Sequence, residues 1–61
     1  MTGEKIKARR ESLGLTQVEA AKRAGMAASS WCNMEKGLHS PTARTLERVA
    51  EALSCPPGSL L

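Results

Sequence analysis

Aromatic side chains are almost missing from this chain: its 61 residues include one Trp, no Phe and no Tyr. A core must therefore be aliphatic, built from Ile, Leu, Val, Met and Ala around Trp31. Val and Ile are few, Ala is common, and no stretch alternates polar with apolar residues, which favours helices over strands. Asp is absent, so nine Lys and Arg are set against six Glu, with a net charge of +3 and a pI of about 9.3. No apolar run approaches the length of a membrane span and nothing resembles a signal peptide, so a cytoplasmic protein with no membrane contact is expected. Cys32 and Cys55 do not form a C-x-x-C pair. With one His they make no zinc site, and in a reducing compartment both thiols should be free. No Ser-His-Asp or Cys-His arrangement, carboxylate pair or Gly-rich phosphate loop is present, which argues against an enzyme and against a bound cofactor. With no repeat and no low-complexity tract, residues 1–61 read as one small domain, at a size where stability is marginal.

The stretch Leu15 to Gly37 carries the organisation. Thr16 is an N-cap and Glu19 follows three residues later, the spacing of a capping box. Val18, Ala21 and Ala24 then repeat on what reads as one helix face. Gly25 stops that helix, because glycine enters the left-handed conformation without a Cβ clash. A second helix over about 28–36 places Trp31, Met34 and Glu35 on one side, and Gly37 ends it as Gly25 ended the first. Two short helices around a glycine turn form a helix-turn-helix, here over about 16–36. Such a unit buries too little apolar surface to stand alone, so its flanks must complete the core.

The flanks supply further helices. Residues 4–13 read as the first, with Ile6, Arg10 and Leu13 on one face, Gly14 as its cap and Leu15 packing ahead of the next helix. A charge on an apolar face either snorkels to water or needs a partner, and Glu35 is the candidate for a buried ion pair with Arg10. His39 falls in a loop. Thr42 caps the next helix, where Leu46, Val49, Ala50 and Leu53 make the clearest amphipathic stripe of the chain. Pro56 and Pro57 are expected to end it and to open one last turn. Leu60 and Leu61 would then close the bottom of the core. Met26, Met34 and Trp31 read as core, and Cys55 as a small buried hydrophobe.

These residues resemble the Cro/repressor type of helix-turn-helix proteins, also called the xenobiotic-response-element family. The resemblance spans essentially the whole chain. It resides in Leu15-Thr16-Gln17, Glu19, Ala21, Gly25, the Trp31-x-x-Met34-Glu35-x-Gly37 run, Ser40-Pro41, and Thr45-Leu46 with Val49, Ala50 and Leu53. It implies an all-α, compact five-helix bundle of the lambda-repressor-like type. It also implies a sequence-specific regulator of transcription, a repressor, whose third helix enters the major groove of double-stranded DNA. Carried over residue by residue, Ala28, Ser29, Ser30 and Asn33 would touch base edges. Gln17, Lys36, Ser40, Thr42 and Arg44 would hold phosphates. The Arg10–Glu35 pair matches a core ion pair of some relatives. Relatives bind as two-fold pairs on half-sites, so a weak homodimer, or a dimer formed on DNA, is expected here, with the end formed by the fourth and fifth helices, near Leu60 and Leu61, as the available surface.

The chain departs from the family pattern in three ways. Ala27 replaces the usual Ser or Thr cap of the third helix, a loss of about 1 kcal/mol. Ala20 replaces a usual Leu, and Trp31 stands where a β-branched aliphatic is usual, so the indole is expected to fill the vacated volume. Ala28 and Ser29 are short where long amides or basic residues are common. Ala can still meet a thymine methyl, Ser can bond several bases, and Asn suits adenine. The short residues and modest charge also fit a second reading, a helix-turn-helix fold used as a protein-interaction or antitoxin module.

Overall fold

The computed structural model describes residues 2–61. Four α-helices follow one another: α1 (Thr2–Ser12), α2 (Gln17–Ala24), α3 (Ala28–Lys36) and α4 (Ala43–Ala52). The expected fifth helix is a single 3-10 turn, Pro57–Leu60, with proline at its start. It is four residues long, within the usual length of a 3-10 segment. No strand occurs among the described residues.

The helix ends follow local chemistry. Thr16 accepts from the Glu19 backbone N–H at 3.1 Å, and Glu19 accepts from the Thr16 N–H at 3.0 Å, completing the capping box. Gly25 closes α2 at φ +71°, and the Met26 N–H reaches back to the Ala21 carbonyl at 2.9 Å. Thr42 caps α4 through the Thr45 N–H. Ala27 gives α3 no side-chain cap. The prolines do not end α4 as expected. The helix stops at Ala52, four residues earlier, where Ser54 turns left-handed at φ +54° and the Cys55 N–H bonds the Ala50 carbonyl. Arg9 secures that turn from α1, donating to the Leu53 carbonyl at 3.0 Å and to the Ser54 carbonyl at 3.2 Å.

Ile6, Ala20, Ala21, Ala24, Trp31, Met34, Leu46, Val49, Ala50, Ala52, Leu53 and Leu60 form one buried cluster. Leu15, Met26, Ala28 and Cys55 are partly buried against it. Trp31 and the small Ala20 are both fully buried in that cluster. Val18 is not on this face: it is 60% exposed, and Ala20 is buried instead. At about 100° per residue, Ala20, Ala21 and Ala24 share an arc that Val18 lies outside, since the i, i+3, i+6 series drifts around the helix. Helix α1 begins at Thr2, ahead of the expected start, and ends before Leu13, which lies in the turn and is exposed. Leu60 is buried at 2%, whereas Leu61 is 67% exposed and does not close the core.

The helix-turn-helix is fastened to α1 by one carboxylate. Glu35 Oε2 accepts from Arg10 Nε at 2.6 Å and from the Trp31 indole Nε1 at 2.5 Å. Glu35 Oε1 accepts from Arg10 Nη2 at 3.1 Å and from Gln17 Nε2 at 3.0 Å. Arg10 also donates to the Leu15 carbonyl at 2.8 Å, tying down the α1–α2 turn. The Arg10 and Glu35 side chains are only 11% and 3% exposed, so the sequence expectation of a buried pair is correct and the snorkelling arginine is not. Burial by itself pushes the Glu35 carboxyl up. Hydrogen bonds from Arg10, Gln17 and Trp31, with the Arg10 charge, outweigh it and hold the group below the ordinary carboxylate range. The hydrogen bond to Glu35 raises the Arg10 guanidinium in turn, against the desolvation that lowers it.

Two predictions follow from this packing. Because the Glu35 pKa is depressed by folding, its contribution to stability is complete above the unfolded value of about 4.3 and is lost as pH falls through the lower folded value. Thermal unfolding followed by circular dichroism should show that acid loss. Glu35→Gln should cost about 3–5 kcal/mol at pH 7 by leaving Arg10 buried and unpaired, with a shallower acid slope remaining from Glu19; parallel pH profiles would contradict the assignment. The second concerns Gly3, where a Cβ would lie 2.6 Å from the Glu35 carbonyl oxygen and 2.7 Å from that of Met34. Gly3→Ala should therefore lose about 1–3 kcal/mol in urea unfolding through overpacking, the opposite sign to the usual gain of alanine over glycine in a helix.

Candidate nucleic-acid interface

With Trp31 and Met34 turned into the core, α3 has one free face. At 3.6 residues per turn that face holds Ser29, Cys32, Asn33 and Lys36. Ser29 and Lys36 are exposed, while Cys32 and Asn33 are half-exposed. Of the residues expected to read bases, Ser29 and Asn33 stand on this face. Ser30 lies at its flank and is half-buried. Ala28 is half-buried and packs against the core, so only part of its methyl is presented. Cys32 belongs to the face as much as Asn33 does, and the sequence reading left it out of the contacts. The i, i+3, i+4, i+7 spacing from Ser29 was the available signal.

The expected phosphate-holding residues stand on different elements. Gln17 is the first residue of α2 and is half-buried, its amide already donating to Glu35. Its own backbone N–H and that of Val18 have no intrahelical acceptor, whereas the capping box engages those of Thr16 and Glu19. Lys36 and Ser40 are exposed and line one shallow cleft with Thr2, Gly3, Glu4 and Pro41. The Thr42 hydroxyl is engaged in its own cap, accepting from the Thr45 N–H and meeting the Thr45 hydroxyl at 3.1 Å. Arg44 is exposed in the first turn of α4. Lys36 sits in the last turn of α3, where its charge complements the helix dipole.

No group of three or more His, Cys, Asp or Glu that could hold a metal occurs among the described residues. Both cysteines are free thiols. No helix of the described residues is long and apolar enough to cross a membrane. The surface is a helix face that carries Lys36, with the start of α2 joined to the same helix through the Gln17–Glu35 bond. That arrangement can dock in a groove and offers hydrogen-bond donors to anions.

Comparison with known proteins agrees with this geometry. A family model described as a helix-turn-helix domain matches residues 3–61. The immunity repressor protein of Bacillus phage phi105 is 41% identical over 51 residues, covering 84% of this chain and 35% of that protein. An uncharacterized HTH-type transcriptional regulator of Methanothermobacter thermautotrophicus is 42% identical over 48 residues, 79% of this chain and 70% of that protein. The chain thus spans about a third of the phage repressor's length and a little over two thirds of the regulator's. The crystal structure of the P22 c2 repressor in complex with a synthetic operator superposes with a TM-score of 0.93 at 31% identity, over 100% of this chain and 92% of that one. With a matching family model over nearly every residue and the same arrangement of helices, the chain belongs to the Cro/repressor-type helix-turn-helix family.

Proposed function

We propose that this chain binds double-stranded DNA sequence-specifically and regulates transcription as a repressor, with α3 in the major groove. The observation that carries this is the free face of α3, Ser29, Cys32, Asn33 and Lys36, in a fold that matches a repressor solved with operator DNA. The major groove admits one α-helix and displays a different donor and acceptor pattern for each base pair. Asn33 supplies a bidentate amide, Ser29 and Ser30 supply hydroxyls, and Ala28 supplies the edge of a methyl. The phosphate contacts come from Lys36 and Arg44 as charges, from Ser40 and Thr42 as hydroxyls, and from Gln17 as an amide. The backbone N–H groups of Gln17 and Val18, which the capping box leaves free, add donors there.

The residues 1–61 act in this reading as one DNA-binding domain in the cytoplasm. One helix spans only a few base pairs, so two copies act together on half-sites about one helical turn apart. The dimer forms weakly or only on DNA. Since Leu60 is buried, its expected share in that surface passes to the exposed Leu61 and the residues around the last turn.

Anisotropy titrations at several salt concentrations test the reading. Measurable affinity for duplex DNA with a steep negative salt dependence is expected. Lys36→Ala and Arg44→Ala should weaken binding to all sequences alike and lower the slope by about one each. Asn33→Ala should cost about 1–3 kcal/mol at one base-pair position and little on scrambled DNA. No binding at low salt would overturn the proposal and leave the protein-interaction or antitoxin module in its place.

A further inference from the structure

Trp31 has no place in either the reading or the phosphate-holding set, yet its indole N–H and the Gln17 amide end on the same carboxylate. They take opposite oxygens of Glu35: Trp31 Nε1 lies 2.5 Å from Oε2 and Gln17 Nε2 lies 3.0 Å from Oε1. A carboxylate only accepts, so this second bond decides the orientation of the Gln17 amide, which the side chain's shape alone leaves ambiguous. The NH2 end faces Glu35. One of its two hydrogens is used there and the other is left to donate outward. A freely turning glutamine would offer its carbonyl oxygen to an anion as readily as its NH2, and carbonyl against phosphate is repulsive.

The carboxylate that sets this orientation is itself aimed by a rigid group. Trp31 is fully buried and sits one turn before Glu35 on the same helix, so its indole cannot move without disturbing the core. Arg10 also grips Glu35 with two bonds, but through a long side chain reaching from another helix. The indole N–H has a matching need, since buried without an acceptor it would pay the desolvation of a lone donor. Among the described residues no buried side-chain polar atom lacks a partner, so the network is closed on the inside. Glu35 takes only one of the two hydrogens of the Gln17 NH2, and Gln17, at the half-buried edge of the network, keeps the other free to donate.

We propose that Trp31 is a positioning residue for DNA binding: through Glu35 it holds the Gln17 amide with its NH2 end turned to the phosphate. This rests on the reading of Gln17 as a phosphate contact. Trp31 touches no DNA, and its effect passes through the orientation of one neutral amide. It therefore acts on specific and non-specific DNA alike and leaves the salt dependence unchanged.

The test needs a variant that removes the indole N–H and keeps its shape. At 61 residues the chain is within reach of chemical synthesis, and benzothienylalanine, with sulfur in place of the N–H, can replace Trp31. Trp31→Phe, a recombinant variant, is the second. In the free protein, the side-chain amide signals of Gln17 should move toward those of an unbonded glutamine. Affinity for operator and scrambled duplexes should fall together by about three- to tenfold, the scale of one hydrogen bond. In a Gln17→Ala background the same replacement should change affinity by less than about twofold, because the group it acts on is gone. An unmoved Gln17 amide overturns the proposal, as does an affinity loss that persists undiminished without Gln17, which would be the mark of a general structural effect. If the unmodified chain binds no DNA, the reading beneath the proposal fails. A Gln17 amide that still shifts would then show the internal network to be real and without a role in DNA binding.

Discussion

The Glu35 carboxylate is the point on which three helices converge. Four N–H groups, from Arg10, Gln17 and Trp31, end on its two oxygens. Those donors come from α1, from the first residue of α2 and from α3 itself. A single ion pair in this setting adds little net stability, because desolvating two charges offsets most of their attraction. What the pair supplies is geometry. A domain with one aromatic residue and a core of alanines, leucines and methionines has few shapes that lock into one arrangement. Four directional bonds on one carboxylate fix how α1 lies across the start of α2 and the end of α3. The close approach of Gly3 to the Met34 and Glu35 carbonyls marks the same junction from the backbone side.

This junction also separates two surfaces. Everything that Glu35 gathers faces inward, and the opposite face of α3 is left free for Ser29, Cys32, Asn33 and Lys36. Gln17 stands at the border, bonded to the core on one side and half-exposed on the other. The first turn of α2 is tied to α3 through the Gln17–Glu35 bond, and Arg44 is exposed in the first turn of α4. Short side chains on the reading helix limit how many bases can be addressed at once. In the proposed complex, affinity comes mainly from phosphate contacts and shape, and Asn33 carries much of the base discrimination.

Much of this was legible in the chain itself. The capping box of Thr16 and Glu19, the left-handed glycines at 25 and 37, the Thr42 cap and the Arg10–Glu35 pair rest on local chemistry or on a charge with nowhere else to go. What was not legible depended on three-dimensional neighbours. Nothing near Ser54 in sequence says that it takes the left-handed turn ending α4, because Arg9 supports that turn from another helix. Val18 was misassigned because an i, i+3, i+6 series walks off the buried arc of a helix as short as α2. The Gln17 and Trp31 bonds to Glu35 escaped notice since both residues had sufficient local roles, one at a helix start and the other in the core. The start of α1 was hidden by Gly3, a poor helix former kept for close packing and not for flexibility.

The central claim is that α3 presents an outward reading face held in place by a closed inner network. A titration of the isotopically labelled chain with a short duplex, followed by amide and side-chain NMR shifts, tests it most directly. The account predicts the largest changes at Ser29, Cys32, Asn33 and Lys36, at Gln17 and at Arg44, with the Trp31 indole signal nearly still. Changes centred on α1 and the Pro57–Leu60 turn, with α3 silent, would contradict it.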